Sequence, residues 1–150
     1  MDNRLKSLLP KLVFKEQSGY VEGRKFLDNI IQAHEVVHSL KSKKQVGMIM
    51  QLDISKVYDK VNWGYIKKIL TVFRFDHNWV RWVMALVTTS SFSILVNGSP
   101  SAILFPTRGL RQGDLLSPFL FILMMEGLGR GIKQAKNMGK IKGHQVSENG

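Results

Sequence analysis

Four short stretches of this chain carry residue types and spacings that could do chemistry. His34-Glu35-Val36-Val37-His38 matches H-E-x-x-H. On a helix the two histidines share a face and can grip one zinc ion, with Glu35 as general base. Asp53 ends the apolar run "MIMQLD" (residues 48–53), followed closely by Tyr58 and Asp59. A carboxylate delivered by a rigid element is what a hard cation needs; the plain alternative is a helix cap at Asp53 and a surface charge at Asp59. "RGLRQGDLLSPFLF" (108–121) sets Arg108, Arg111, Gln112, Gly113 and Asp114 ahead of a helix. Glycine lets a backbone approach a flat ligand, and arginine and glutamine can pair with phosphates or base edges. An ordinary hairpin-to-helix connection would look the same. "QSGYVEGRKFLDN" (17–29) presents Arg24 in a tight loop before a helix, which suits an anion.

The zinc reading fails on its neighbours. A metzincin needs Gly three and His six residues beyond the second histidine; here those positions are Lys41 and Lys44. No glutamate occurs between Glu35 and Glu126 to serve as a third ligand, and nearby lysines repel a dication.

The elements that must position these residues follow from apolar spacing. Residues 3–12 read as the end of an amphipathic helix, with Leu5, Leu8, Leu9 and Leu12 clustering on one side before or around Pro10. Residues 25–40 repeat Phe26, Ile30, Ala33, Val37 and Leu40 at helical intervals. "MIMQLDI" (48–54) reads as a buried strand that turns into a short helix. Two more helices cover 61–73 and 78–90, the second with Trp79, Val83 and Leu86, or Trp82 and Val83, facing inward. "SFSILVN" alternates and turns through "NGSP" into "SAILF", a hairpin. Ser117-Pro118 has the form of an N-cap and a first-position proline for a helix over 118–135. "GKIKGHQV" (139–146) could begin another strand.

Composition bounds the function. The chain has 150 residues, 44% of them hydrophobic, so it can build a core. Lys and Arg number 22 against 11 Asp and Glu, a formal charge of +11, which suggests a polyanion such as nucleic acid as partner. The absence of cysteine excludes disulfides and thiolate metal sites. No secretory leader is evident and the longest apolar run is too short for a membrane span, so an intracellular protein with no membrane partner is expected.

Taken in order, these segments resemble the reverse transcriptase domain of LINE-type (non-LTR) retrotransposons, most closely the kind abundant in plants. "QSGYVEGR…DN" is similar to the family's Q-S/A-F-V-x-G-R…D-N segment. "LDISKVYDKVNW" is similar to polymerase motif A, L-D-M-S-K-A-Y-D-R-V-E-W. "RGLRQGDLLSPFLF" is similar to motif B, R-G-L-R-Q-G-D-P-L-S-P-x-L-F. The likeness runs from about Asn3 to Gly143. A-H-E-x-x-H commonly sits on the helix before motif A in that family, which accounts for the histidine pair.

The resemblance implies an α+β fold: part of a right-hand polymerase, helix-rich with a small antiparallel sheet. Residues 1 to about 46 would supply fingers and palm-entry helices, and 47–150 the palm. It implies RNA-directed DNA polymerisation by two-metal nucleotidyl transfer with Mg2+, on an RNA template, a DNA primer and deoxynucleoside triphosphates. Asp53 would be catalytic and metal-binding. The backbone at Ile54 would face the triphosphate, and Tyr58 would lie under the sugar and exclude a 2′-OH. Gln112 and Gly113 would sit beside the nascent base pair. Arg24 would touch nucleic acid or the triphosphate, and Arg108 and Arg111 would hold phosphates.

Two departures qualify this. Leu115 stands where the family has proline. No Asp-Asp dipeptide occurs, so two of three expected metal carboxylates are missing. The chain is therefore expected to be a truncated remnant, inactive alone. The alternatives are a non-catalytic basic nucleic-acid-binding remnant, a product that never folds stably, and the disfavoured zinc hydrolase of His34, Glu35 and His38. The helix after Pro118, apolar nearly all round, is expected to be left partly uncovered, making the chain aggregation-prone.

Overall fold

Proline at position 10 lacks the N–H that a helix interior needs, yet the first helix runs past it. In the computed structural model, which describes residues 2–44 and 46–143, α1 spans Asp2–Leu12 with Pro10 in its last turn. Helix α2 follows at Phe26–Ser42, α3 at Trp63–Val72, α4 at His77–Thr88 and α5 at Ser117–Asn137. A short hairpin, β1 (Leu95–Val96) and β2 (Ser99–Pro100), lies between α4 and α5. The helix-rich fold with a small antiparallel sheet is the expected class. The chain packs as two compact units: residues 1–53 with 125–150, and residues 54–124.

In the first unit, Leu5, Leu9, Val13 and Val21 form the apolar core. Leu5 and Leu9 are one turn apart, so one face of α1 supplies both. The end of α1 leaves backbone carbonyls without helical partners. Two guanidinium groups meet them and the loop that follows. Arg24 donates to the carbonyls of Pro10 (3.0 Å), Val13 (3.3 Å), Gln17 (2.7 Å) and Phe14. Arg130 donates to Leu12 O at 3.1 Å. Cations at a helix C-terminus also complement its dipole. Glu126 of α5 is 3% exposed and fully engaged: Oε2 accepts from the Phe14 N–H at 2.9 Å and Oε1 from Arg130 Nε at 2.8 Å. The Phe14 ring lies under Lys133, whose ammonium is 4.9 Å from its centroid.

In the second unit, α3 and α4 pack against each other across a short connection. Ile66, Ile69 and Leu70 of α3 are buried, as are Val80 and Val83 of α4. Each helix has a side-chain cap. Asn62 Oδ1 accepts from the Tyr65 N–H at 2.9 Å, and Asp76 Oδ1 from the N–H groups of Asn78 (2.9 Å) and Trp79 (3.2 Å). α3 ends in a Schellman turn: Arg74 N–H reaches Thr71 O, Phe75 N–H reaches Leu70 O, and Arg74 takes φ +58° where glycine is usual. The hairpin turns on Asn97-Gly98, both at positive φ, as a tight two-residue loop requires. Its register slips by one residue between Leu95↔Pro100 and Phe92↔Leu104, so a bulge interrupts it. There Ser101 Oγ takes the Ile94 N–H at 3.0 Å.

Four expectations need correction. The strand at 48–54 is not formed; the segment has no regular structure, and Met48, Ile49, Met50, Leu52 and Ile54 are exposed. A strand exists only through a neighbour's hydrogen bonds, and the hairpin strands pair with each other. The inward stripe of α4 is Val80 and Val83 with half-buried Trp79, whereas Trp82 and Leu86 face outward; the wide apolar surface of this helix left its phase ambiguous. The apolar stretch of α5 is covered: Leu120, Ile122 and Leu123 are buried, and Phe119, Phe121 and Met124 half-buried. Exposed apolar side chains occur further along α5, at Leu128 and Ile132, and on α2, on 46–54 and on the hairpin. Of the further strand suggested at 139–146, residues 139–143 are turn and irregular chain, and 144–146 lie outside the described residues.

Two stability measurements test this packing. Glu126→Ala strands the part-buried Phe14 N–H, so a loss of about 1–3 kcal/mol is expected in denaturant unfolding; an unchanged midpoint contradicts the role given to Glu126. Gly131 sits inside α5 with open space where a Cβ would project. Gly131→Ala should therefore gain about 1 kcal/mol from helix propensity, and a lowered melting temperature would count against the helix as described.

Candidate nucleotide and nucleic-acid site

Residues 46–54, which reach the motif A residues, have no regular structure. Asp53 and Ile54 are both exposed there. The one-turn 3-10 helix Tyr58–Lys60 follows, then the extended residues Val61 and Asn62, which lead into α3.

Tyr58 is half-buried and held twice. Its ring stacks on Phe121 of α5, with centroids 5.4 Å apart and planes at 29°. Its carbonyl accepts the Leu110 N–H at 2.8 Å. One residue earlier in the motif B loop, the Gly109 N–H reaches Val61 O at 2.8 Å, and the Gly109 carbonyl accepts the indole N–H of Trp63 at 2.7 Å. Position 109 must be glycine for this. Its φ is +99°, and a Cβ would stand 3.3 Å from the carbonyl oxygens of both Asp59 and Tyr58.

These bonds bring motif A and motif B together. Arg108 and Arg111 flank the pinned peptides and, with Asp59, Ser90, Ser91 and Phe92, line a cavity of about 290 Å³. Guanidinium groups, hydroxyls and an exposed aromatic ring make a surface suited to phosphate and base. Beyond Arg111 the loop makes a turn with Gln112 and Gly113 at its tip, closed by the Asp114 N–H on Arg111 O at 3.4 Å; Gly113 has φ +88°. Gln112 is exposed. Asp114 Oδ1 takes the Leu116 N–H at 3.2 Å, and α5 starts at Ser117, one residue before the expected position. Leu115 points into solvent, 72% exposed, so no packing rests on the departure from proline.

Arg24 belongs to the first unit. The four carbonyls at the end of α1 occupy both its terminal nitrogens. Asp53 also belongs to that unit. Among the described residues no three His, Asp or Glu side chains gather into a group able to hold a metal ion. The residues present therefore do not by themselves fit the Mg2+ site that the resemblance implies, because this ion needs several fixed oxygens. His34 and His38 are exposed one turn apart on α2.

Three positioning residues carried no sequence expectation. Trp63 was visible as the end of "VNW" and Gly109 as the first motif B glycine, but only the fold shows that they meet. Phe121 was hidden in an apolar run.

The sequence matches the family described as Reverse transcriptase (RNA-dependent DNA polymerase) over residues 1–146. The Transposon TX1 uncharacterized 149 kDa protein of Xenopus laevis is 29% identical over 123 residues, 82% of this chain and 9% of that protein. The Retrovirus-related Pol polyprotein from type-1 retrotransposable element R2 of Popillia japonica is 28% identical over 102 residues, 68% of this chain and 17% of that protein. The Uncharacterized mitochondrial protein AtMg01250 of Arabidopsis thaliana is 47% identical over 55 residues, 37% of this chain and 45% of that protein. The chain thus spans less than half the length of each of these relatives. With the family match covering nearly every residue, this chain belongs to the reverse transcriptase family, in its LINE-type, non-LTR retrotransposon branch.

Proposed function

We propose that the chain supplies the motif A and motif B part of a nucleotidyl-transfer site for RNA-directed DNA synthesis. The observation that supports it is the backbone pinning of Tyr58 against the motif B loop, with Arg108 and Arg111 on one cavity wall. In this reading Tyr58 lies under the incoming deoxyribose and clashes with a 2′-OH. Gln112 and Gly113, at the loop tip, meet the nascent base pair. Arg108 and Arg111 hold phosphates of template or primer. The Ile54 backbone faces the triphosphate. For Arg24, nucleic acid or triphosphate competes with the carbonyls of Pro10, Val13, Phe14 and Gln17, which engage four of its five N–H groups. Divalent metal, which the family uses, would stabilise the charge that develops on the attacking and leaving oxygens. Asp53 contributes one carboxylate to that site, and one carboxylate alone is a poor magnesium site. In the terms drawn from the family, residues 1–46 belong to the fingers and palm entry and the rest to the palm.

A second reading, non-catalytic binding of nucleic acid, is favoured by the formal charge of +11 alone.

Polymerisation tests whether these residues suffice for catalysis. The 150-residue chain should extend no primer–template with magnesium or manganese. Incorporation that disappears on Asp53→Ala would show that these residues suffice.

Binding of a fluorescein-labelled oligodeoxythymidylate should weaken steeply as salt rises, because each neutralised phosphate releases counterions. Arg111→Gln should reduce the slope of log affinity against log salt by about one. An unchanged slope would remove Arg111 from the phosphate contacts.

A further inference from the structure

The motif B arginines are long, flexible side chains, and each loses rotamer freedom when it holds a phosphate. That loss is smaller when the backbone beneath them is already fixed. Here the fixing is complete at one residue. The Gly109 N–H is bound by Val61 O at 2.8 Å, its carbonyl by Trp63 Nε1 at 2.7 Å, and the next N–H by Tyr58 O at 2.8 Å. Arg108 precedes this residue directly, and Arg111 follows Leu110, whose side chain is 5% exposed. Of these bonds only one comes from a side chain. The other acceptors are backbone carbonyls that any residue would offer, whereas the indole N–H exists only because position 63 is tryptophan. Trp63 is the first residue of α3, and the Asn62 cap fixes the start of that helix. The indole thus ties the capped end of a packed helix to the peptide between the two arginines.

We infer that Trp63 is a positioning residue for the nucleic-acid site: its indole N–H, held on the Gly109 carbonyl, keeps Arg108 and Arg111 in the arrangement that receives phosphates. The inference rests on the reading that these arginines bind phosphate. Trp63 touches no ligand itself. Without its N–H, the peptide after Gly109 keeps one fewer restraint, and the arginines start from a broader set of positions. Affinity then falls while the number of phosphates contacted stays the same.

The test is Trp63→Phe in the full chain, which keeps an aromatic ring and deletes the donor. Oligodeoxythymidylate affinity is measured across a salt series, beside the melting temperature and the Arg111→Gln variant. The expected result is an affinity lower by about five- to tenfold, the equivalent of one hydrogen bond, with the salt slope of the unmodified chain. Gly109→Ala attacks the same junction from the other side, because its Cβ meets backbone oxygens, and it should reproduce that pattern. A Trp63→Phe chain that melts lower but binds with unchanged affinity while folded would overturn the inference and leave Trp63 a merely structural residue. So would a lowered slope, which would make Trp63 act through lost phosphate contacts. If Arg111→Gln itself leaves the slope unchanged, the phosphate reading fails first, and the inference fails with it.

Discussion

Two peptide N–H groups in succession, Gly109 and Leu110, reach the carbonyls of Val61 and Tyr58, and the approach is so close that a side chain at 109 would collide with backbone. Most of what the second unit offers chemically depends on this contact. It sets the height of the Tyr58 ring, which Phe121 then fixes from the other side. It holds the start of the motif B loop, so that the Gln112-Gly113 turn projects from a fixed base. It also makes one wall of the cavity shared by Asp59, Arg108 and Arg111. Residues some fifty positions apart in sequence therefore move as one body, which is what a site needs when its two halves come from different motifs.

The first unit solves a different problem with the same economy. A helix that ends in "LPKL" has no glycine to close it and a proline near its end. Its carbonyls are met from outside by Arg24 and Arg130, and Arg130 is in turn fixed by the buried Glu126. Charged hydrogen bonds of this kind are stronger than neutral ones. They also commit the residues that make them. Arg24, which the motif pattern assigns to ligand, is here engaged with the protein's own backbone, so ligand and helix end compete for one guanidinium.

What could be read in the sequence was whatever has a local cause. Helical spacing located α1 to α5, and Asn97-Gly98 located the hairpin turn, because those signals act over a few residues. Motif spacing gave Asp53, Tyr58, Arg108, Arg111, Gln112 and Gly113 without any geometry. The strand at 48–54 could not be judged this way, since an apolar run says nothing of whether a neighbour pairs with it. The phase of α4 was lost because Trp82 and Leu86 are as apolar as Val80 and Val83. The meeting of Trp63 with Gly109 spans the chain from one motif to the next, and no periodicity encodes it. The cap at Asp76 was legible in principle, as an acid directly before a helical run.

Helix α2 shows how unevenly the fold is held. None of its residues from Phe26 to Ser42 is buried, and its tether is near the start, where Asn29 Nδ2 donates to Glu16 O and Ser18 Oγ. A helix of this length with no buried residue leans mainly on its own backbone bonds, which are marginal in water. Local opening of this helix, separate from global unfolding, therefore costs less than opening of the packed helices. Its backbone amides should exchange with solvent deuterium before those of α3 or α5, and a protease that needs an unwound segment should cut there first.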